Sequence, residues 1–214
     1  MDNPLVSCLC LTKNRREWLP KAIECFLKQT YENRELVIVA DTEVDTGGLV
    51  SPEMLVIFSP GVVGAKRNAG CSAARGKIIA VWDDDDYSAP GRLAQQVSAM
   101  TESGRAVTAY TSMKFTDGPR WWQYRDTGNA LATSLCFLRS WWLTHKFREI
   151  QCGQDEAFAA QALAAKQLLR HGDLDLMYAT NHPGNTWDRS RLVGNRASWT
   201  PLPDFEWKDG VCPA

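Results

Sequence analysis

The stretch Val81-Trp82-Asp83-Asp84-Asp85-Asp86-Tyr87-Ser88-Ala89-Pro90 sets four consecutive carboxylates directly behind a short apolar run, residues 77–82, that reads as a buried strand. Four adjacent acids repel one another, and a strand end favours them only if a cation neutralises the charge or the turn is fully solvated. Ser88 and Pro90 have the form of a helix start, a capping hydroxyl with proline in the first turn, so the acids fall on a strand-to-helix connection. In open α/β sheets such connections, beyond the carboxyl ends of the strands, form the ligand crevice. Oxygen donors alone suit Mg²⁺ or Mn²⁺, which take few protein carboxylates and complete their shell with water and phosphate. Without its surroundings, the same run reads equally as a solvated acidic turn.

Upstream, residues 5–11 (LVSCLCL) form a compact apolar run typical of a buried parallel strand, closed by the polar Thr12-Lys13-Asn14-Arg15. Trp18, Leu19, Ala22, Ile23, Phe26 and Leu27 recur at three- and four-residue steps and predict an amphipathic helix. Residues 35–40 predict a second strand with Asp41 at its carboxyl end, much as Asp83 follows residues 77–82. Strand, helix and strand imply a right-handed parallel crossover. Residues 45–48 read as a loop and 54–58 as a third strand. Residues 64–74 read as a helix with Lys66, Arg67 and Asn68 near its start, where an anion such as a diphosphate is well received, although an ordinary surface helix has the same pattern.

Downstream the alternation loosens. Residues 92–100 continue the helix opened by Pro90, 105–110 predict a strand, and 114–125 read as an aromatic loop. Residues 132–138 predict a strand, 140–145 a short helix, and 154–169 a long helix whose first turn holds Asp155 and Glu156. Residues 174–178 predict a last strand, ahead of a tail dense in proline, glycine and tryptophan. Trp18 and Trp82 lie in apolar patterns, whereas Trp121, Trp122, Trp187 and Trp199 sit among Arg120, Arg125, Arg189, Arg191 and Arg196. Such aromatic faces can stack on a sugar ring or a base, or cover a core.

A chain of 214 residues, 44% hydrophobic and 23% charged, is expected to fold as one globular domain. A net charge of −1 gives no global attraction to nucleic acid or anionic membrane. Seven cysteines without a CxxC pair or zinc spacing read as reduced thiols of a cytoplasmic protein. Met1-Asp2-Asn3-Pro4 lacks signal-peptide character, and no apolar run approaches the roughly 20 residues of a bilayer span.

Together these motifs resemble the family 2 inverting glycosyltransferases of the GT-A fold. Thr12-Lys13-Asn14-Arg15 is similar to that family's T-Y-N-R segment, with Lys13 in place of tyrosine; residues 26–31 (FLKQTY) resemble its L-x-Q-T-Y, and Ala40-Asp41 its D-D with the first acid lost. Residues 64–70 (GAKRNAG), 74–76 (ARG), the acids 83–86 and Pro90 match its A-R-N-x-G, A-x-G, D-x-D-D and proline order. Residues 134–139 (SLCFLR) resemble the strand before the acceptor helix, Gly153-Gln154-Asp155 the G-E-D segment with glutamine for glutamate, and residues 182–186 (HPGNT) a late H-x-G-N-T element.

The resemblance implies a Rossmann-like, mostly parallel central sheet flanked by helices, with a small acceptor-side subregion and an irregular tail. In one domain it implies a nucleotide-sugar half at 1–110, an acceptor half at 111–180, and a closing tail at 181–214. It makes Asp85, with Asp83, the ligand set for Mn²⁺ or Mg²⁺, with His182 a third contact. Thr12, Asp41, Arg67, Asn68 and Asp83 become the binding set for a nucleotide sugar, UDP-linked by expectation. Asp155 becomes the general base for the acceptor hydroxyl, with Glu156 the alternative; acids in a first helical turn also have a purely capping explanation. Asp84 and Asp86 are expected to be structural. The acceptor is expected to be a glycan, a lipid-linked carrier or, given the basic-aromatic stretches, a modified base in DNA. A nucleotidyltransferase on a similar sheet and a non-catalytic divalent-ion or glycan-binding module are the competing classes.

Overall fold

The computed structural model describes residues 3–48, 53–125, 128, 130–172, 175–186 and 198–206. It opens with β1 (Val6–Thr12), α1 (Leu19–Leu27) and β2 (Arg34–Ala40). Pro20 lies in the first turn of α1, where its missing N–H costs nothing, and Leu19, Ala22, Ile23 and Phe26 form the buried face. There follow α2 (Glu43–Thr46), β3 (Met54–Phe58), α3 (Val63–Ala73), β4 (Ile78–Val81), the two-residue β5 (Tyr87–Ser88) and α4 (Arg92–Ser103). After β6 (Val107–Tyr110) come β7 (Ser112–Thr116), β8 (Trp121–Arg125), a 3₁₀ turn (Ala132–Ser134) and β9 (Cys136–Leu138). The rest is α5 (Arg139–Thr144), α6 (Gln154–Ala164), β10 (Leu168–His171), β11 (Met177–Thr180) and β12 (Trp199–Pro201).

Seven strands form one sheet in the order β10-β6-β9-β4-β1-β2-β3. β1 pairs in parallel with β2 on one side and β4 on the other, and β2 with β3, whereas β9 runs antiparallel to both its neighbours. The chain therefore leaves β1 in one direction and returns on its other flank at β4, and a crevice opens beyond the carboxyl ends of those two strands. β1, β2 and β4 are buried almost throughout, which is why they read as unbroken apolar runs. Their period-two alternation divides the core. Leu9, Val37, Val39 and Ile79 pack with Phe137, Phe147 and Phe158 on one face, while Cys8, Cys10, Leu36 and Ile38 pack with Phe26, Trp82 and Leu93 on the other. Cys8, Cys10, Cys25, Cys71 and Cys136 are buried free thiols. Among the described residues no helix is long and apolar enough to cross a membrane.

A second, five-stranded sheet has the order β12-β8-β7-β11-β5. It replaces the loop expected over 114–125: β7 and β8 form an antiparallel hairpin, and its aromatic residues alternate between partners. Trp121 packs edge-on to Tyr178 and Phe205, and Trp199 of β12 packs against Phe115 and Tyr124. These tryptophans cover a core. Trp187, Arg189, Arg191 and Arg196 lie outside the described residues.

Four other boundaries differ for local reasons. Residues 45–48 are not all loop, because Asp45 closes the single turn α2 by accepting the Thr42 N–H (3.0 Å) and hydroxyl (3.1 Å). Ser88 does not cap α4; it belongs to β5, its hydroxyl accepts a hydrogen bond from Arg92 Nη1 (2.8 Å), and the helix begins after Gly91. The strand expected over 132–138 starts only at Cys136, since Ser134 and Leu135 donate back within the 3₁₀ turn. The helix expected over 154–169 stops at Ala164; Lys166 takes φ 56° and the chain turns into β10 beside β6.

Glu35 shows how tightly β1 and β2 are clamped. It is 2% exposed and accepts from Ser7 Oγ (2.6 Å), Arg75 N (2.8 Å) and Arg75 Nε (2.6 Å). Burial raises its pKa, but these donors outweigh burial and hold it below the usual range. Its contribution is therefore complete above the unfolded pKa and is lost as pH falls through the depressed folded value. Glu35→Ala is expected to destabilise the fold by about 2 kcal/mol at pH 7, a difference from wild type that narrows below about pH 4 in urea titrations.

Candidate active site

Three strand ends meet at the crevice: Thr12 closes β1, Asp41 follows β2, and Asp83 follows β4 after Trp82. The exit from β4 is fixed by Arg92, which is fully buried, lies over the Trp82 ring (5.0 Å) and donates to Val81 O (2.7 Å) and Ser88 Oγ (2.8 Å). The four acids then point to two sets of partners. Asp83 Oδ2 and Asp86 Oδ2 both contact Thr133 Oγ1 at 2.6 Å, and Asp86 Oδ1 accepts from Thr180 N (3.1 Å). One hydroxyl carries one proton, so the second contact needs a protonated carboxyl. Asp86 supplies it, because burial and the Asp85 charge push its pKa well up. Asp84 and Asp85 face Arg15 instead, whose Nη1 lies 3.1 Å from Asp84 Oδ1 and 2.9 Å from Asp85 Oδ2.

Asp85 is also where the chain's late segment lands. Its Oδ2 accepts from His182 Nε2 (3.0 Å) and Asn185 Nδ2 (3.0 Å), while Arg15 Nη2 donates to Gly184 O. His182 stacks on Trp18 (4.5 Å between centroids), and its Nδ1 accepts from Gly184 N (3.1 Å), which leaves the ring proton on Nε2, facing Asp85. Burial and the Asp83 charge raise Asp85 to about 6; burial and the Asp85 charge raise Asp84 to about 7.

At the β2 end, Asp41 is held by Lys66 Nζ (2.6 Å) and Lys13 Nζ (2.9 Å), and Lys66 also donates to Thr12 O (2.9 Å). Burial works against the Asp41 carboxylate, but the two ammonium groups prevail and lower its pKa. Asn14 takes φ 54°, a conformation asparagine tolerates, and its N–H reaches Asp45 Oδ1 (2.6 Å). That reversal sends Arg15 toward the acids.

Across the crevice, Gly153 takes φ 82° and opens α6, placing Asp155 in its first turn. Arg67 of α3, 5% exposed, joins the two walls: its Nη1 lies 3.0 Å from Asp155 Oδ2 and 3.5 Å from Gln154 Oε1, and its Nη2 lies 3.9 Å from Asp83 Oδ1. Burial raises the Asp155 pKa, yet the Arg67 charge and hydrogen bond outweigh it and leave the carboxyl below its ordinary value. Glu156 moves upward, through burial and then the Asp155 charge. Asn68, expected among the donor contacts, has its amide engaged inside the protein: Oδ1 accepts from Trp142 Nε1 (3.0 Å) and Phe147 N (3.1 Å), and Nδ2 donates to Phe147 O (2.9 Å). Asn68 braces the segment that leads to Asp155.

Gly64 serves the same brace. A Cβ there would stand 1.8 Å from Arg148 O, and its N–H donates to Ile150 O (3.1 Å). Gly64→Ala is expected to push residues 148–150 off α3, lowering the melting temperature by about 4 °C or more and displacing Asp155. Loss of turnover with an unchanged melting curve would contradict this.

A divalent cation fits the donor set in kind. Asp83, its side chain 31% exposed, and Asp85 offer two carboxylates, which is the number Mg²⁺ or Mn²⁺ uses when water and phosphate complete the shell. The upward shifts at Asp84 and Asp85 come first from burial and then from the neighbouring carboxylate charge. Among the described residues no group of three His, Cys, Asp or Glu forms a cage, and the imidazole Nε2 is directed at Asp85 itself.

Sequence reasoning missed Arg15, Thr133 and Asn185 as site residues. Arg15 and Asn185 stood visibly in motifs; Thr133 carries no local signal, because it reaches the acids from more than 45 positions away.

A switch-point crevice carrying an acidic turn on one wall and a helix-borne carboxylate on the other defines a transferase of the GT-A kind. Residues 7–165 match the family model described as glycosyl transferase family 2, and the chain belongs to that family. The putative glycosyltransferase EpsH of Bacillus subtilis is 29% identical over 144 residues, covering 63% of this chain and 39% of the relative. An Escherichia coli relative, UDP-Glc:alpha-D-GlcNAc-diphosphoundecaprenol beta-1,3-glucosyltransferase WfaP, is 28% identical over 116 residues, 50% of this chain and 45% of the relative. The chain thus spans less than half the length of these relatives. In fold it is similar to S. aureus TarS 1-349 in complex with UDP-GlcNAc (TM-score 0.69, 18% identity, 85% of this chain and 60% of that one). It is also similar to the mannosyltransferase PcManGT from Pyrobaculum calidifontis in complex with GDP-Man and Mn²⁺ (TM-score 0.64, 15% identity, 83% and 56%).

Proposed function

We propose that this glycosyltransferase moves a sugar from a UDP-linked donor, with a divalent cation and with inversion, to a hydroxyl group of a glycan acceptor. The observation that carries the reading is the meeting of the acids 83–86 and Asp155 in one crevice, 3.9 Å and 3.0 Å from a shared guanidinium. Thr12 and Asp41 lie toward the nucleoside, Asp83 and Arg67 toward the ribose and diphosphate. Asp85 with Asp83 would hold the cation, and His182 orients Asp85 through its N–H. A cation bound there supplies charge stabilisation for the departing nucleotide. Asp155, ionised at neutral pH, accepts the proton of the attacking hydroxyl. One base and one displacement at the anomeric carbon invert its configuration.

Residues 1–110 would then serve the donor and 111–180 the acceptor, and the tail 181–214 would close on the site, its described start reaching Asp85 through His182 and Asn185. The buried reduced thiols suit the cytoplasm, where nucleotide sugars are available to such an enzyme. A glycan acceptor is favoured over DNA because Trp121 and Trp199, which the DNA expectation used, pack within the protein. The relative WfaP is named for a lipid-diphosphate-linked acceptor, which supports the same choice. The test incubates the chain with UDP-sugars, Mn²⁺ and either polyprenyl-diphosphate-linked sugars or duplex DNA. Transfer to the former with an inverted anomeric signal by NMR is expected; a retained configuration, or transfer to DNA that collapses with salt, contradicts the reading.

A further inference from the structure

The Arg67 guanidinium stands between the group that receives the proton and the wall that receives the donor. It is buried, lies over the Phe147 ring at 5.5 Å, and bonds Asp155 at 3.0 Å while its other nitrogen reaches to 3.9 Å from Asp83. The second contact is too long for a hydrogen bond, so Arg67 is committed to the base and only leans toward the donor side. Gln154 sharpens this commitment. Its neutral amide, 3.5 Å from the same nitrogen, leaves Asp155 as the carboxylate on which the charge is concentrated.

We propose that Arg67 is a positioning residue that couples donor binding to the readiness of the base, releasing Asp155 when a diphosphate arrives beside Asp83. This rests on the donor reading above. Without donor, the ion pair holds the Asp155 carboxylate and reduces its affinity for a proton. A diphosphate beside Asp83 offers the guanidinium a stronger, bidentate partner. As Arg67 turns toward it, Asp155 keeps its half-buried place and loses its counter-charge, so its proton affinity rises and it becomes the stronger base. The proton then moves from the acceptor hydroxyl to Asp155 only with donor in position, which limits attack on an incomplete site.

Among the described residues the charged groups around Asp155 are few. Its own helix supplies Glu156, α3 supplies Arg67 and also Lys66, which is engaged with Thr12 and Asp41. The 3₁₀ turn packed on α6 carries no titratable side chain, and β10 brings Arg170 and His171.

The test follows the Asp155 carboxyl by ¹³C NMR titration of the full chain, assigned with Asp155→Asn, in Mg²⁺ with and without saturating UDP. UDP is expected to raise the Asp155 midpoint by about one pH unit, a tenfold gain in proton affinity. Arg67→Ala should raise the midpoint without UDP and abolish the further rise, while calorimetry still detects UDP binding. Should that variant fail to fold, Gln154→Glu divides the guanidinium between two carboxylates and is expected to raise the unliganded midpoint in the same direction. UDP that binds while Asp155 titrates unchanged overturns the coupling alone, as does an unmoved midpoint in Gln154→Glu. UDP that does not bind wild type sinks the donor reading and the coupling with it.

Discussion

Asp155→Asn is expected to lower transfer by about 10²–10⁴-fold at saturating donor, the usual scale for loss of a positioned general base, while UDP still binds, up to about tenfold more tightly because Arg67 is no longer held by a carboxylate. The asparagine keeps the volume and one acceptor oxygen at the start of α6, so packing survives; what goes is the group that takes the proton. A purely capping carboxylate would cost only about 0.3–1 kcal/mol of stability and leave transfer intact. The two explanations therefore separate by orders of magnitude in a single assay. Glu156→Gln sharpens the comparison. Glu156 is more exposed than Asp155 and stands outside the 3.0 Å ion pair with Arg67, so its loss should alter transfer by less than about tenfold. Because the Arg67 charge holds the Asp155 pKa below its ordinary value despite burial, protonating it in the unliganded protein requires a lower pH than for a free aspartate.

Asp85→Asn is expected to have opposite effects on function and stability. Transfer should fall by about 10²–10³-fold, since a neutral amide neither attracts a divalent cation nor helps to offset charge on the leaving diphosphate. Stability should move the other way. The Asp85 pKa is raised, to about 6, by burial and by the Asp83 charge. For an acid the folded state then keeps its proton to higher pH than the unfolded state does, so ionisation reduces stability as pH rises through the interval from the unfolded value to about 6. Above that interval and in EDTA, Asp85→Asn should melt higher than wild type, and below about pH 4 the two curves should converge. An amide oxygen can still accept from Arg15, His182 and Asn185, the three donors around Asp85 Oδ2. A variant that is active, or that melts lower at pH 8, would remove the acids from the centre of the account.

The parallel half of the fold was legible because its central strands β1, β2 and β4 are buried on both faces and the edge strand β3 is apolar throughout. Residues 5–11, 35–40 and 54–58 announced β1, β2 and β3 as unbroken apolar runs, and the acids behind residues 77–82 marked the crevice. Of the second sheet only β11 left a mark, in the strand expected over 174–178. The sheet's strands are short, β8 is half-exposed, β5 is only two residues long, and β12 pairs with β8 across more than 70 positions, so no local pattern records the partnership. The same physics governs the site. Asp83 and Asp85 announce themselves by standing in a run of acids where charge is otherwise unfavourable, and Asp155 by its place in the Gly153-Gln154-Asp155 segment, whereas Thr133 becomes informative only when folding brings it to a carboxylate. Asn68 misled for the converse reason: a helix-start amide beside two basic residues looks ready for an anion, but Trp142 and Phe147 had already claimed it.

The measurement that bears most directly on the account is a calorimetric titration of the wild-type chain with UDP, first in Mn²⁺ and then in EDTA. Binding in Mn²⁺ that weakens by at least about tenfold in EDTA, and that Asp85→Asn reduces to the EDTA level, is the predicted result. Equal affinity in both solutions, with the Asp85 variant indistinguishable from wild type, would contradict it.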